Sequence, residues 1–552
     1  MEPSESLYPT LGLLKLALAQ GDESLISRIL EDSDLDELLS QRTILRVRMR
    51  REHMVCAFLC TLAAANNISP TRAQLWLSCY QSVRTKKLTD DLEQLSKRNV
   101  LRLTVEALIK NEQLSSAALK NAKGTDQTWI DSLELCVDFD NWASAVQLLE
   151  ARSRPETGLF YRQALQALML REQTYDRSIH PIHVNYALLA RLYEICGIGF
   201  RGKNDLQTQA IAPHFQARAL ERAKRFDDAL RLLRMHPPGS DAMTHSQAIA
   251  RNLCKKGDLQ DAIAQMDTTI RAYVRNKDQR VTDPKSAEQA TPMPTKENAF
   301  TVEGGSLALQ DLAKILNQRS NKMFLVSGTL LGYQREGKLL DHDKDIDVGI
   351  LGWEEQFEIF ESLWRSNVFS IKSKYLKGLN TYYLPILHIP TQTSIDIFLY
   401  QHIDGKFVTG VDFAFGHRQT FAFTPFDLTP INFLGVDMYI PDNTELNLQE
   451  NFGNWRVSDP GYISHLESPS TINKGGLDFM ITARLHTLKY LHSGHSHKLR
   501  KVLKVLLEHS TKPGAMEPQL LSRLQLECAA MEELENTTQH FSYFETREVA
   551  CA

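Results

Sequence analysis

Four aspartates, Asp341, Asp343, Asp345 and Asp347, fall on alternate positions of the run LDHDKDIDVGI. Side chains at i, i+2 and i+4 of a strand project to one face, so an extended backbone here crowds carboxylates together. Such crowding is unfavourable without a cation. A hard divalent metal, sharing its oxygen ligands between carboxylates and substrate phosphates, removes the repulsion. Asp345 and Asp347 are therefore candidate ligands for Mg²⁺ or Mn²⁺, with Asp343 a third contributor. Further on, Asp396 stands among apolar residues in SIDIF, placed to complete the metal site or to take the proton of an attacking hydroxyl. Phosphoryl chemistry needs this arrangement, because negative charge on the transferred group and on the leaving phosphate must be neutralised. Arg335 adds a guanidinium that could grip a diphosphate bidentately, or pair instead with Glu336 or an aspartate at the surface.

These residues need strands to hold them, and the chain supplies candidates after residue 300. SLALQDLAKILNQRSN reads as an amphipathic helix, followed by strands in KMFLVSG, KDIDVGIL, TYYLPILHIP and TSIDIFLYQHI. Strands mixed with helices indicate an α+β catalytic domain with a mixed sheet over 301–477. Residues 276–300 are polar, hold three prolines and show no apolar period, which marks a linker. Before it, 1–275 is helical almost throughout. RFDDALRLLRMHPP and DLQDAIAQM place Ala229 and Ala262 at equivalent points, and NWASAVQLLEA resembles both. The offset is close to the roughly 34-residue period of tetratricopeptide repeats, so the region reads as a TPR-like α-solenoid offering a surface to a protein partner. Residues 478–552 form a helical C-terminal region.

Composition limits the alternatives. At 552 residues the chain is too long for one core. Its 63 basic and 67 acidic residues leave no strong field, and no nucleic acid is expected as a partner. Eight cysteines include no CxxC pair, which suits reduced, buried thiols. The start MEPSESLYPT has neither the basic nor the apolar segment of a secretory signal, and the longest apolar run, 54–65, is too short to span a bilayer. The expectation is a cytoplasmic protein with no transmembrane segment, associating peripherally with the inner face of the plasma membrane. His486, His492, His495 and His497 invite a zinc reading, but the stretch resembles a polar break between helices with no further ligand, and a surface cluster is expected. Lys498, Arg500, Lys501 and Lys504 give a basic helical face.

The chain resembles the LicD/fukutin family within the DNA polymerase β-like nucleotidyltransferase superfamily. The resemblance rests on Gly328-Thr329-Leu330-Leu331-Gly332, Arg335, Gly337, Asp343-Lys344-Asp345-Ile346-Asp347, the lone Asp396 in SIDIF, and Asn451-Phe452-Gly453-Asn454-Trp455 with Pro460. It covers roughly 305–475. One departure is Leu340-Asp341-His342, where the family often has Ile-Pro-Trp. The resemblance implies that the turn of Ser327, Gly328 and Thr329 meets phosphate oxygens through its amides and hydroxyls. It also implies the reaction: a phosphorylated small alcohol such as phosphocholine or ribitol phosphate leaves a CDP-linked donor for a hydroxyl of a glycan or glycolipid acceptor, releasing CMP. Nucleotidyl transfer from a nucleoside triphosphate, DxD glycosyl transfer and an inactive helical-repeat adaptor are the rival readings. Phe452 and Trp455 either stack on a base or sugar or pack a domain edge.

Overall fold

Apolar and polar residues alternate in DIDVGIL and SIDIFLY as a strand with one sealed and one half-open face requires. Both segments are strands in the computed structural model of the chain. The structure describes most of residues 85–548 and single positions between 75 and 83. It leaves out 153–158, 176–183, 201–205, 237–241, 283–300, 317–321, 341–344, 353–358, 372–381, and isolated residues between 360 and 367, at 414 and at 460. The apolar run 54–65, Asp341, His342, Asp343, Pro460 and most of the expected linker thus lie outside the described residues.

The chain divides into two compact units, Met1–Pro237 and Pro238–Ala552. In the first, helices run from Asp90–Gln94 to Phe226–Met235. Their starts are written in the sequence: Asn99, Ser115, Thr125 and Asn141 each accept a first-turn N–H of the following helix, satisfying donors that the helix itself cannot. Inside, Glu172 is held by the Tyr193 hydroxyl and by Arg218, each at 2.7 Å. Ala229 is fully buried in this unit and Ala262 in the second.

The second unit opens with helices α1 (Ala242–Lys256) and α2 (Leu259–Thr282). The sequence places both with the N-terminal helices, yet they pack in the same unit as the sheet, and α2 runs past 275. A buried ion pair ties α2 to helix α7 (Leu477–Ser493): Arg484, fully buried, donates to both oxygens of Asp267 at 2.7 and 3.0 Å. Such a pair is invisible to local periodicity.

After helix α3 (Val302–Leu316) come β1 (Met323–Leu325), helix α4 (Ser327–Glu336), β2 (Asp345–Leu351), β3 (Phe369–Ile371), β4 (Tyr383–His388) and β5 (Ser394–Ile403). Then follow β6 (Lys406–Asp412), β7 (Arg418–Phe423), β8 (Leu428–Phe433) and β9 (Val436–Pro441). The strands form one mixed sheet in the order β3-β4-β5-β2-β1-β9-β8, with β6 joined to the far end of β5 and β7 to β6. Pairs β2–β5 and β1–β9 are parallel and the rest antiparallel. Helices α5 (Thr444–Phe452), α6 (Ser464–Glu467), α7, α8 (Ser496–Glu508) and α9 (Pro518–Glu548) complete the unit.

One face of the sheet is sealed. Ile346, Val348, Ile350, Ile395, Ile397 and Leu399 bury with Ala308, Leu309, Leu312 and Leu316 of α3. On the other face Phe324 joins Tyr400, Phe421, Phe423 and Phe426 in a second cluster. Gly349 stands opposite Phe324 in the β1–β2 register, and a Cβ there would lie 2.4 Å from Phe324 Cζ, so the glycine makes room for the ring. Among the described residues, no helix is long and apolar enough to cross a membrane.

Candidate active site

Strand β1 ends at a sharp turn. Ser327 takes a left-handed φ of 46°, uncommon for a residue with a side chain, and α4 starts from it. The turn directs the Gly328 N–H to Asp347 Oδ2 at 3.0 Å. In return the Asp347 N–H donates to Thr329 Oγ1 at 2.8 Å. Thr329 is fully buried, so it braces β2 from behind, whereas Ser327 and Gly328 line the open cleft. Gly332 has a packing reason: a Cβ there would sit 2.6 Å from the Lys338 carbonyl.

The parallel register of β2 and β5 pairs Asp345 with Ser394 and Asp347 with Asp396. Neighbouring strands lie about 4.8 Å apart, and paired positions share a face, so Asp345, Asp347 and Asp396 are brought to one side. All three line the same cleft, of about 1160 Å³. Asp343 falls outside the described residues, and the described part of the strand begins at Asp345.

Sequence reasoning missed the groups that surround these carboxylates. Tyr383 of β4 donates its hydroxyl to Asp396 Oδ2 at 2.9 Å, with its ring against Phe398 at 5.6 Å. Tyr400 lies buried close to Asp347, and burial first and that carboxylate second push its hydroxyl pKa far up. Asn451 donates to Ser327 Oγ at 3.4 Å, while Tyr462 donates to the Asn451 carbonyl. The SIDIF pattern could have pointed to Phe398 and Tyr400, two and four positions beyond Asp396 on the same face. Nothing local pointed to Tyr383.

The remaining wall is aromatic. Phe413, Phe421 and Phe423 come from the β6–β7 hairpin, and Phe452, Trp455 and Tyr462 from the segment after α5 begins. Asp412 and Arg418 clasp the hairpin neck at 2.7 and 3.1 Å. Trp455 is 7% exposed, so it both packs in the core and forms part of the cleft. Arg335 also lines the cleft; its Nη2 donates to the Val457 carbonyl at 3.1 Å, and Glu336 pairs with Lys338 instead. Asp459 at the rim is held below the usual carboxylate range mainly by its hydrogen bond from Lys501, at 2.6 Å. His465 lines the cleft too, with its pKa lowered to about 4 by burial and then by Lys489.

The expected surface histidine cluster is divided. His492, His495 and His497 are exposed, but His486 turns inward at 5.8 Å from His465, with Nδ1 buried. The basic helical face is partly neutralised, Lys501 by Asp459 and Glu467 and Arg500 by Glu532.

Three carboxylates on one face, next to the turn at Ser327 and Gly328, are hard oxygen donors suited to Mg²⁺ or Mn²⁺. Among the described residues, no group of three or more acidic, histidine or cysteine side chains is placed so as to hold a metal ion by itself.

Residues 320–443 match the family described as LicD/FKTN/FKRP, nucleotidyltransferase domain. The chain is 25% identical over 155 residues to the ribitol-5-phosphate transferase FKTN of Homo sapiens, a stretch that covers 27% of this chain and 32% of that protein. It is 26% identical over 151 residues to the same-named protein of Macaca fascicularis, covering 27% and 32%, and 25% identical over 151 residues to that of Mus musculus. The chain thus spans about a third of the length of these curated relatives.

Proposed function

With residues 320–443 as a LicD/FKTN/FKRP-family nucleotidyltransferase domain, we propose that the protein transfers a phosphorylated small alcohol from a CDP-linked donor to a hydroxyl of a glycan, releasing CMP. The observation that carries this reading is the register of Asp347 and Asp396, with Asp345 beside them and the Gly328 amide fixed on Asp347. Three partly similar relatives bear a name that states ribitol-5-phosphate transfer, which supports a donor of the same chemical class.

In the reaction, an acceptor oxygen bonds to the phosphorus that carries the alcohol, and the bond from that phosphorus to the bridging oxygen breaks. CMP departs with the electron pair. The acceptor proton passes to Asp396 where that residue acts as base, and Tyr383 holds the carboxylate by its hydrogen bond. Asp345 and Asp347 are the residues to hold a divalent ion, which when bound neutralises the diphosphate. Ser327 and the turn at Gly328 position phosphate oxygens, and the aromatic wall excludes water from the reacting centre. The helices of the first unit are read as a TPR-like array that engages a protein partner.

The test is product identity. Full-length protein with Mn²⁺ is given CDP-ribitol, CDP-glycerol, CDP-choline or CTP with oligosaccharide acceptors, and products are read by chromatography and phosphorus NMR. CMP from one CDP-alcohol, lost in Asp345→Asn and Asp347→Asn, supports the reading. Pyrophosphate from CTP assigns nucleotidyl transfer instead, and no turnover from a folded protein rejects both.

A further inference from the structure

Tyr400 stands on β5 four residues beyond Asp396 and on the same face of the strand. Its ring is walled in by three others: Phe324, Phe423 and Phe426 lie 5.3, 5.9 and 6.3 Å away between centres. Only 3% of the residue is exposed, yet it lines the cleft. Tyr383, the other sheet tyrosine on the cleft, gives its hydroxyl to Asp396. Among the described residues nothing hydrogen-bonds the Tyr400 hydroxyl, and this oxygen is not sealed from solvent. With phenyl groups around the ring, the hydroxyl end is what the cleft meets. It opens beside the carboxylates: the Phe324 ring next to Tyr400 reaches across Gly349, two residues after Asp347, and Tyr400 is close enough to Asp347 to feel its charge.

A phenol donates one hydrogen bond and adds no charge of its own. Next to a carboxylate that holds a divalent ion, the oxygens brought within reach are those of phosphates bound to the ion. A charged phosphate oxygen accepts a stronger bond than a sugar hydroxyl does. We propose that Tyr400 is a further substrate-binding residue, whose hydroxyl donates to a non-bridging oxygen of a diphosphate held at the Asp347 end of the cleft. The ring is already fixed and the hydroxyl gives up no bond within the protein, so the donor is in place before the substrate arrives. The proposal rests on the transfer reading only for the presence of a diphosphate at this end.

The probe is inorganic pyrophosphate with Mn²⁺, which carries the diphosphate and neither base nor alcohol. Calorimetry on the full-length protein should show saturable binding. Tyr400→Phe keeps the ring, removes the hydroxyl and should weaken that binding roughly tenfold. Mn²⁺ alone, followed by electron paramagnetic resonance, should bind the variant as it binds wild type, because the hydroxyl ligates no ion. The melting temperature of the unliganded variant should equal or exceed that of wild type, since no bond within the protein is lost; a purely structural hydroxyl would lower it. Equal pyrophosphate affinity in the two proteins overturns the assignment, as does the absence of wild-type binding at millimolar pyrophosphate. Parallel loss of Mn²⁺ and pyrophosphate binding, or a variant that fails to fold, overturns it too. Turnover plays no part in this readout. A protein that shows the tenfold difference but releases no CMP from any CDP-alcohol keeps Tyr400 as a diphosphate ligand and loses the transfer reaction. CMP release by Tyr400→Phe with wild-type kcat and KM does the reverse.

Discussion

Asp347 and Asp396 occupy directly paired positions on parallel neighbouring strands, and each accepts a hydrogen bond from the protein, from the Gly328 amide and the Tyr383 hydroxyl respectively. Two like charges held this close raise the energy of the metal-free protein. Asp347→Asn and Asp396→Asn should each therefore stabilise the protein in EDTA by roughly 1 kcal/mol, while removing both the stabilisation by Mn²⁺ and CMP release. Melting curves with and without metal check this. Loss of stability in EDTA would contradict it.

Tyr383→Phe removes one hydroxyl and leaves the ring on Phe398. Stability should change by no more than about 1 kcal/mol. The Mn²⁺ concentration needed for half-maximal stabilisation should rise several-fold, because Asp396 is no longer held. An unchanged metal titration would show the bond to be incidental.

Gly349→Ala drives a methyl into Phe324 across the β1–β2 register. Overpacking of this kind costs about 1–3 kcal/mol, to be read from urea midpoints. Combining it with Phe324→Leu should recover part of the loss, since the ring is what the methyl meets.

Arg484→Met leaves Asp267 without its two donors inside the second unit. Breaking a buried pair from one side costs about 3–5 kcal/mol. Replacing both, with Asp267→Leu added, should restore most of it, as denaturant melts would reveal.

Acid should weaken the protein through its inward histidines. Burial and then Lys489 bring His465 to about 4, and burial, then His465 itself and nearby lysines, bring His486 to about 3, both below the unfolded value near 6.5. Between these values the unfolded chain binds more protons than the folded one, so stability is complete above about pH 6.5 and falls as pH drops toward 4. His465 is only partly enclosed where it meets the cleft, so its share is about 1–2 kcal/mol. His465→Gln should lose correspondingly less stability between pH 7 and pH 5 in parallel urea melts.

Much of the site could be read from the chain because its signals are local. Alternation alone puts Asp345 and Asp347 on one face and sets Asp396 in a strand of the same kind. What alternation cannot give is register. Tyr383 reaches Asp396 through the β4–β5 pairing, and Asn451 reaches Ser327 across a long stretch of chain. The β6–β7 and β8–β9 hairpins escaped too: KFVTGVD and LTPINF mix glycine, proline and charge with apolar residues, which blurs the period on which strand recognition depends. Thr329 reads as a phosphate contact in a small-residue turn but is turned inward to hold Asp347. The helices α1 and α2 have the periodicity of their N-terminal neighbours, and long-range partners such as Arg484 determine the unit they join.

Because β2 and β5 run parallel, no tight hairpin can join them; the chain must travel through β3 and β4 before β5 docks. During synthesis the two aspartates therefore stay apart, each solvated, until β5 docks on β2, so their repulsion is absent from early collapse and arises only as that central pair forms.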